Sequence, residues 1–142
     1  MRSEITATAA FCDDIRQEIS GKYSLIGCYC AQMLVDDFPA TLPRLCIAVY
    51  IKIHPGAAVE NITLYATLGA DAQIGKYVLP NVSQTVEQLR SNGITGIDGC
   101  ATLAAMLAFS PLILTEPTKL KISADVDGKQ IFVESLNIMK MA

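Results

Sequence analysis

Apolar and polar residues alternate with a period of two along much of the chain. From Leu45 to Ile53 every second residue is a large aliphatic one, and the residues between them are small, aromatic or charged. Residues 62–68 alternate in the same way, with apolar residues at the even positions. A period of two is typical of a strand that buries one face in a core. We therefore predict strands over both segments, and we expect these two strands to pair with each other.

The C-terminal residues predict a tight hairpin. Residues 119–126 alternate and lead into Asp127-Gly128, a dipeptide that favours a type I′ turn because both central residues of that turn need a positive φ. A two-residue loop there pairs Ile122 with Val133, so that the apolar residues of the two strands meet on one face. The apolar phase changes after Val133, which predicts a β-bulge near Glu134-Ser135.

The N-terminal residues predict a second hairpin, with its turn at Ser20-Gly21. This turn pairs Ile15 with Ile26 and directs Phe11 and Ile15 towards the core. Asp13 then shares the apolar face, which is costly for a carboxylate unless it is hydrogen-bonded.

The opposite face of this hairpin carries a row of charges of alternating sign, formed by Asp14, Arg16 and Glu18. Arg16 can neutralise Asp14 within the row. We predict that this row is exposed and forms a binding surface for a protein partner.

One helix is predicted, near residues 83–91. Val82, Val86 and Leu89 follow helical spacing, and a polar residue at position 81 or 83 can cap the helix. Residues 100–109 contain helix formers, but the proline at position 111 and the neighbouring strands favour a buried strand.

Together these elements predict an all-β fold with seven or eight strands and one short helix. The expected architecture is a two-sheet antiparallel β-sandwich of immunoglobulin-like or C2-like kind, formed by a single domain over residues 1–142.

Composition adds an expectation about partners. Hydrophobic residues make up 51% of the 142 residues and charged residues 18%, so the core cannot hide all the apolar surface and a protein partner or homo-oligomer is expected. The net charge is −3 without any run of Lys or Arg, which argues against nucleic-acid binding.

The longest apolar run, residues 100–109, is shorter than the roughly 18 residues of a membrane span. Residues 1–4 do not begin a secretory signal. We therefore expect a soluble, intracellular protein without membrane contact.

The residue types that carry chemistry are few. Five cysteines without a CxxC pair predict free thiols that act as small buried hydrophobes, with Cys12 on the face opposite Cys28 and Cys30. The single histidine, His54, has no nucleophile motif beside it, so we predict no enzyme, no catalytic residue, no metal site and no cofactor. Acidic residues at 13–14, 36–37, 125 and 127 leave one alternative open, a ligand- or calcium-binding sandwich that uses acidic loops.

Three N-terminal segments carry a resemblance to a known family: Phe11 to Arg16 (FCDDIR), Gly21 to Tyr29 (GKYSLIGCY) and Phe38 to Cys46 (FPATLPRLC). They are similar to a bacterial and bacteriophage family of unknown function whose members begin with an FCDDIR-type strand and a GK-x-SLIG-x-Y strand. Cys28 and Cys30 depart from its pattern, where a β-branched or small residue is expected. The resemblance implies a β-sandwich in a phage or prophage context and transfers no catalytic residue. It also implies that the protein is cytoplasmic in a bacterial host or virion-associated. The function we predict is therefore a non-enzymatic interaction or structural module, which binds another protein or its own copies in a phage-related assembly.

Overall fold

The computed structural model describes residues 4–142, and within them the chain forms eleven strands and one helix. In chain order these are β1 (Ile5–Gln17), β2 (Tyr23–Cys28), β3 (Gln32–Val35), β4 (Ala40–Leu42), β5 (Leu45–Ile53), β6 (Ile62–Leu68), β7 (Ala72–Val78), α1 (Val82–Ser91), β8 (Ala101–Phe109), β9 (Leu112–Leu114), β10 (Thr118–Val126) and β11 (Lys129–Lys140). The expected single domain over 1–142 stays a prediction, and its first three residues lie outside the described part.

Two larger sheets supply the core. One has the strand order β2-β1-β5-β8 and the other β3-β11-β10-β6-β7. Their apolar residues belong to one cluster, with fully buried members from both sheets, such as Ile47 on β5 and Ile122 on β10. The predicted all-β class with one short helix is confirmed. The predicted count of seven or eight strands is wrong, because β3, β4 and β9 are too short for alternation to show them. The pairing is also not purely antiparallel, since β3 runs parallel to β11.

The expected pairing of β5 with β6 is wrong. β5 pairs with β1 and β8, whereas β6 pairs with β10 and β7 in the other sheet. Residues 54–61 connect the two sheets, and Ala57 and Val59 of this connection are buried. Alternation shows only that a strand has one buried face, and two strands on opposite sides of a core satisfy it as well as two neighbours do.

A small third sheet, β4-β9, continues the β5-β8 ladder in the same register. That register places Pro43 opposite Pro111. Neither proline has a backbone N–H, so the ladder is interrupted between the two pairs of strands. The Ser110 hydroxyl donates a hydrogen bond to the Pro43 carbonyl at 2.9 Å. Beyond the break, Leu112 and Leu114 are buried in the core.

The C-terminal hairpin forms around the predicted turn, with φ values of 50° at Asp127 and 88° at Gly128. The bulge is also present, but it lies slightly earlier than predicted. Ile122 pairs with Glu134, so the predicted Ile122–Val133 pair is wrong. The residue skipped by the ladder is therefore Val133, which is itself buried.

The predicted helix is confirmed as α1, and Val82 and Val86 are its buried residues. Its predicted side-chain cap is wrong, because Asn81 adopts a left-handed conformation and makes no side-chain capping hydrogen bond. The helix packs beside β8, the strand that the sequence predicts over residues 100–109.

Candidate functional site

The first hairpin extends beyond the sheet to which it belongs. β1 pairs with β5 from Ile5 to Cys12, and with β2 from Cys12 to Gln17. Residues 13–27 therefore form a ribbon of two strands and a turn, which we call the hairpin arm. An isolated two-stranded hairpin is marginally stable in water, so a contact with another surface would stabilise an arm of this kind.

The register of the arm differs from the predicted one by one residue. Ile15 pairs with Leu25 rather than with Ile26, because the turn is longer than a two-residue loop: the Glu18 N–H bonds to the Lys22 carbonyl. The expectation that Phe11 and Ile15 both face the core is half right. Phe11 is buried, whereas Ile15 lies past the start of β5 and is only half-buried.

A hydrogen bond at the base of the arm satisfies Asp13. The Tyr29 hydroxyl donates to the Asp13 carboxylate. An oxygen of the same carboxylate lies so close to the position of a Cβ atom at Gly27 that a side chain there would displace it, and Gly27 has a φ of +68°. Asp13 is therefore exposed and hydrogen-bonded, so its carboxylate avoids the cost of an unpaired charge on an apolar face.

The predicted charged row lies on one face of the arm. Asp14 accepts a hydrogen bond from Arg44 Nε at 3.0 Å, so its ion-pair partner is Arg44 rather than Arg16. Arg16 is exposed, and neither Arg16 nor Glu18 forms a salt bridge with any residue in the 4–142 range. Each of these two side chains is available to a charged group from outside the chain.

The tip and edge of the arm expose apolar side chains. Ile19 at the turn is 95% exposed, and Tyr23 and Ile26 on β2 are also exposed. A shallow depression of about 460 Å³ at the tip is lined by Glu18, Ile19, Lys22, Tyr23 and Ser24. Exposed apolar side chains beside unpaired charges are typical of a protein-interaction surface.

The model of DUF6941, a family of unknown function, matches residues 7–139. The chain belongs to the DUF6941 family. The matched residues include the whole hairpin arm and strands of both larger sheets. No curated protein matches the chain significantly.

Three cysteines of this DUF6941 chain form a row across neighbouring strands. Cys12 on β1 pairs with Cys28 on β2 and with Cys46 on β5. The prediction that Cys12 lies on the face opposite Cys28 is wrong, because it rested on the shifted register. Burial, with the neighbouring thiols, raises the pKa of Cys12 to about 11, so this thiol is protonated at neutral pH and is a poor nucleophile.

Thiol titration should distinguish two classes of cysteine. No disulfide joins any of the five cysteines, which all lie within residues 4–142; Cys12, Cys46 and Cys100 are buried, whereas Cys28 and Cys30 are exposed, against the expectation that all are buried. We expect two thiols to react rapidly with a disulfide reagent in the native protein and all five to react after denaturation without reductant. A total of three or one in the denatured protein would contradict the free thiols and reveal a disulfide.

Alkaline pH should destabilise the base of the arm. Burial, together with the hydrogen bond to Asp13, raises the pKa of Tyr29 from 10.0 to about 12, and burial raises that of Cys12 from 9.0 to about 11. Each group loses its proton at a lower pH in the unfolded chain, so its stabilising effect is complete below the ordinary pKa and is lost as the pH rises through the higher one.

The melting temperature should therefore fall over this alkaline window. The fall should be smaller in Tyr29→Phe, which keeps the ring but has no ionisable hydroxyl. An identical pH profile for the wild type and Tyr29→Phe would show that the hydroxyl titrates alike in both states, and would contradict its assigned environment.

Most of the acidic residues considered as a calcium site have separate local contacts. Asp37 pairs with Lys140 at 3.3 Å, and Asp127 accepts hydrogen bonds from the backbone N–H groups of Glu60 and Asn61. Asp125 accepts from the backbone N–H of the following turn. Among the described residues, no three His, Cys, Asp or Glu side chains lie close enough together to hold a metal ion.

His54 has a structural environment. Its Nε2 lies 2.8 Å from the Thr6 hydroxyl, and its carbonyl accepts a hydrogen bond from Arg90 Nη2 at 2.7 Å. These contacts hold the turn after β5 against the start of β1 and the end of α1.

Sequence reasoning missed a second surface, the edge of β8 beside α1. This strand lies at the edge of its sheet and is uncharged over its whole length. Two crevices, of about 280 and 350 Å³, follow its two halves, and Tyr77 lines both. The absence of charge over residues 101–109 is the signal that could have revealed this surface, because exposed edge strands usually carry charged residues. No helix of the described chain is long and apolar enough to cross a membrane.

Proposed function

We propose that this DUF6941 protein is a non-enzymatic protein-binding module that contacts its partner through the hairpin arm. The observation that carries the proposal is the 95% exposure of Ile19 at the tip of a two-stranded ribbon that extends past β5. An apolar residue in this position gains its stabilisation only when another surface covers it. The charged side chains of Arg16 and Glu18 beside it supply specificity.

The proposal includes the finer architecture and the biological context. We propose that the two larger sheets form a β-sandwich of immunoglobulin-like or C2-like kind, from which the arm projects. The resemblance of the N-terminal segments supports a role in a phage-related assembly, in the cytoplasm of a bacterial host or in the virion. The protonated state of the Cys12 thiol and the hydrogen bonds around His54 support a function that does not depend on catalysis.

Replacing the tip isoleucine tests the proposal directly. We expect Ile19→Asp to abolish association with the partner while leaving the melting temperature nearly unchanged, since an exposed side chain contributes little to folding. Ile97→Asp is the matched control, because Ile97 is also fully exposed but lies in the loop between α1 and β8. Association is measured by light scattering for self-assembly and by quantitative affinity purification for other proteins.

Arg16→Glu should act in the same way as the tip variant, through the charges rather than the apolar contact. Equal association of the wild type, Ile19→Asp and Arg16→Glu in both assays would show that the arm is only part of the scaffold. Unfolding of Arg16→Glu would show instead that the charged row stabilises the fold.

A further inference from the structure

We infer that the arm binds the arm of a second copy of this chain, with the two charged rows packed against each other in antiparallel orientation across a twofold axis. This inference rests on the proposed function of the arm and identifies its partner. It derives from the sign pattern of the row and from the position of the two exposed isoleucines.

The face that carries the row also contains part of β2. Because side chains alternate along a strand, Asp14 and Arg16 lie on the same face of the arm. Glu18 directly follows β1, and the hydrogen bond from its N–H to the Lys22 carbonyl continues the ladder, so Glu18 extends the same row. Ile26 is opposite Asp14, and Ser24 is opposite Arg16, so both belong to this charged face as well.

A row of alternating sign is complementary to itself when it is reversed and shifted by one charge. Two antiparallel copies can place Arg16 of each against Glu18 of the other, which forms two ion pairs related by the twofold axis. The alternative register pairs Arg16 with Asp14, but Asp14 already accepts a hydrogen bond from Arg44 at 3.0 Å. Arg16 and Glu18 form no salt bridge in the described chain, and the first register supplies a partner for both.

The same register brings exposed apolar side chains together. When Arg16 faces Glu18 of the second copy, Asp14 and its neighbour Ile26 lie opposite residue 20 of that copy, next to its Ile19. Ile19 is 95% exposed and Ile26 is 41% exposed in the single chain. Twofold symmetry produces this contact twice, so four isoleucines lose solvent exposure in one interface. The apolar contact supplies affinity, and the ion pairs fix the register.

Charge exchange between two variants tests this arrangement. Arg16→Glu makes positions 16 and 18 both acidic, and Glu18→Arg makes them both basic. The homodimer of each single variant should have a dissociation constant more than about tenfold higher than that of the wild type, because like charges then face each other across the axis. An equimolar mixture should form a one-to-one heterodimer, and the double variant Arg16→Glu/Glu18→Arg should form a homodimer with the net charge of the wild type.

Analytical ultracentrifugation of these proteins measures each dissociation constant, and Lys119→Glu is the control for net charge alone. Lys119 is an exposed residue on β10, so its replacement changes the charge as Arg16→Glu does but should leave the dimer intact. A wild-type protein that stays monomeric up to its solubility limit overturns the inference. Single variants that dimerise as the wild type does, or a mixture that forms no heterodimer, also overturn it.

These outcomes are distinguishable from a failure of the proposed function. Suppose that the inference fails, but that a specific protein co-purifies with the wild type and with Ile97→Asp and not with Ile19→Asp. The arm then binds that protein rather than a second copy of this chain. If neither the charge exchange nor Ile19→Asp changes any association, both the inference and the proposed function fail.

Discussion

Replacing Phe11 by alanine should lower the free energy of unfolding by about 3–5 kcal/mol. Phe11 is only 3% exposed and pairs across β1 and β5 with Ile47, which is completely buried. The substitution removes most of a large side chain from the core, and the surrounding strands can relax only partly into the cavity. The loss should appear as a lower urea midpoint with an unchanged slope.

Two controls separate this effect from a general weakness of the first hairpin. Ile19→Ala, on the same hairpin but at the exposed tip, should change the free energy of unfolding by less than about 0.5 kcal/mol. Phe11→Leu should retain most of the stability because it leaves a smaller cavity. A loss below about 1 kcal/mol in Phe11→Ala would contradict the packing of β1 against the core.

Gly27→Ala should destabilise the protein by about 2–3 kcal/mol, although the position is exposed. The φ of +68° costs a residue with a side chain about 1–2 kcal/mol. The new Cβ would also collide with the Asp13 carboxylate, which must move away from the Tyr29 hydroxyl and lose a hydrogen bond worth about 1 kcal/mol.

Gly21→Ala is the matched control for strain. Gly21 has a similar φ of +82°, but no atom beyond Gly21 and its two chain neighbours lies within 4 Å of the position that its Cβ would occupy. Gly21→Ala should therefore show the strain alone, and Gly27→Ala the strain together with the lost hydrogen bond. In an Asp13→Ala background the difference between the two glycine variants should disappear. Equal losses for both variants in the wild-type background would contradict the contact between Asp13 and Gly27.

The arm was only partly predictable from the sequence. The alternating charges at positions 14, 16 and 18 are visible in the chain, and so is the turn near Ser20-Gly21. The partner of Asp14 was not, because Arg44 is thirty residues away along the chain and reaches the arm only when β5 pairs with β1. The cysteine row was missed for a related reason: a shift of one residue in the β1-β2 register moves every side chain of one strand relative to the other.

Local patterns determined the elements whose interactions are close in sequence. The spacing of Val82, Val86 and Leu89 predicts α1, and Asp127-Gly128 predicts the last hairpin, since helix periodicity and turn conformation depend on neighbouring residues. The tertiary structure alone decided which strands share a sheet, as β5 and β6 demonstrate. It also decided that Ile15 lies outside the core, because β5 begins where the hairpin arm leaves the sheet. Alternation specifies that a strand has an apolar face, but the surface that covers this face comes from distant parts of the chain or from another molecule.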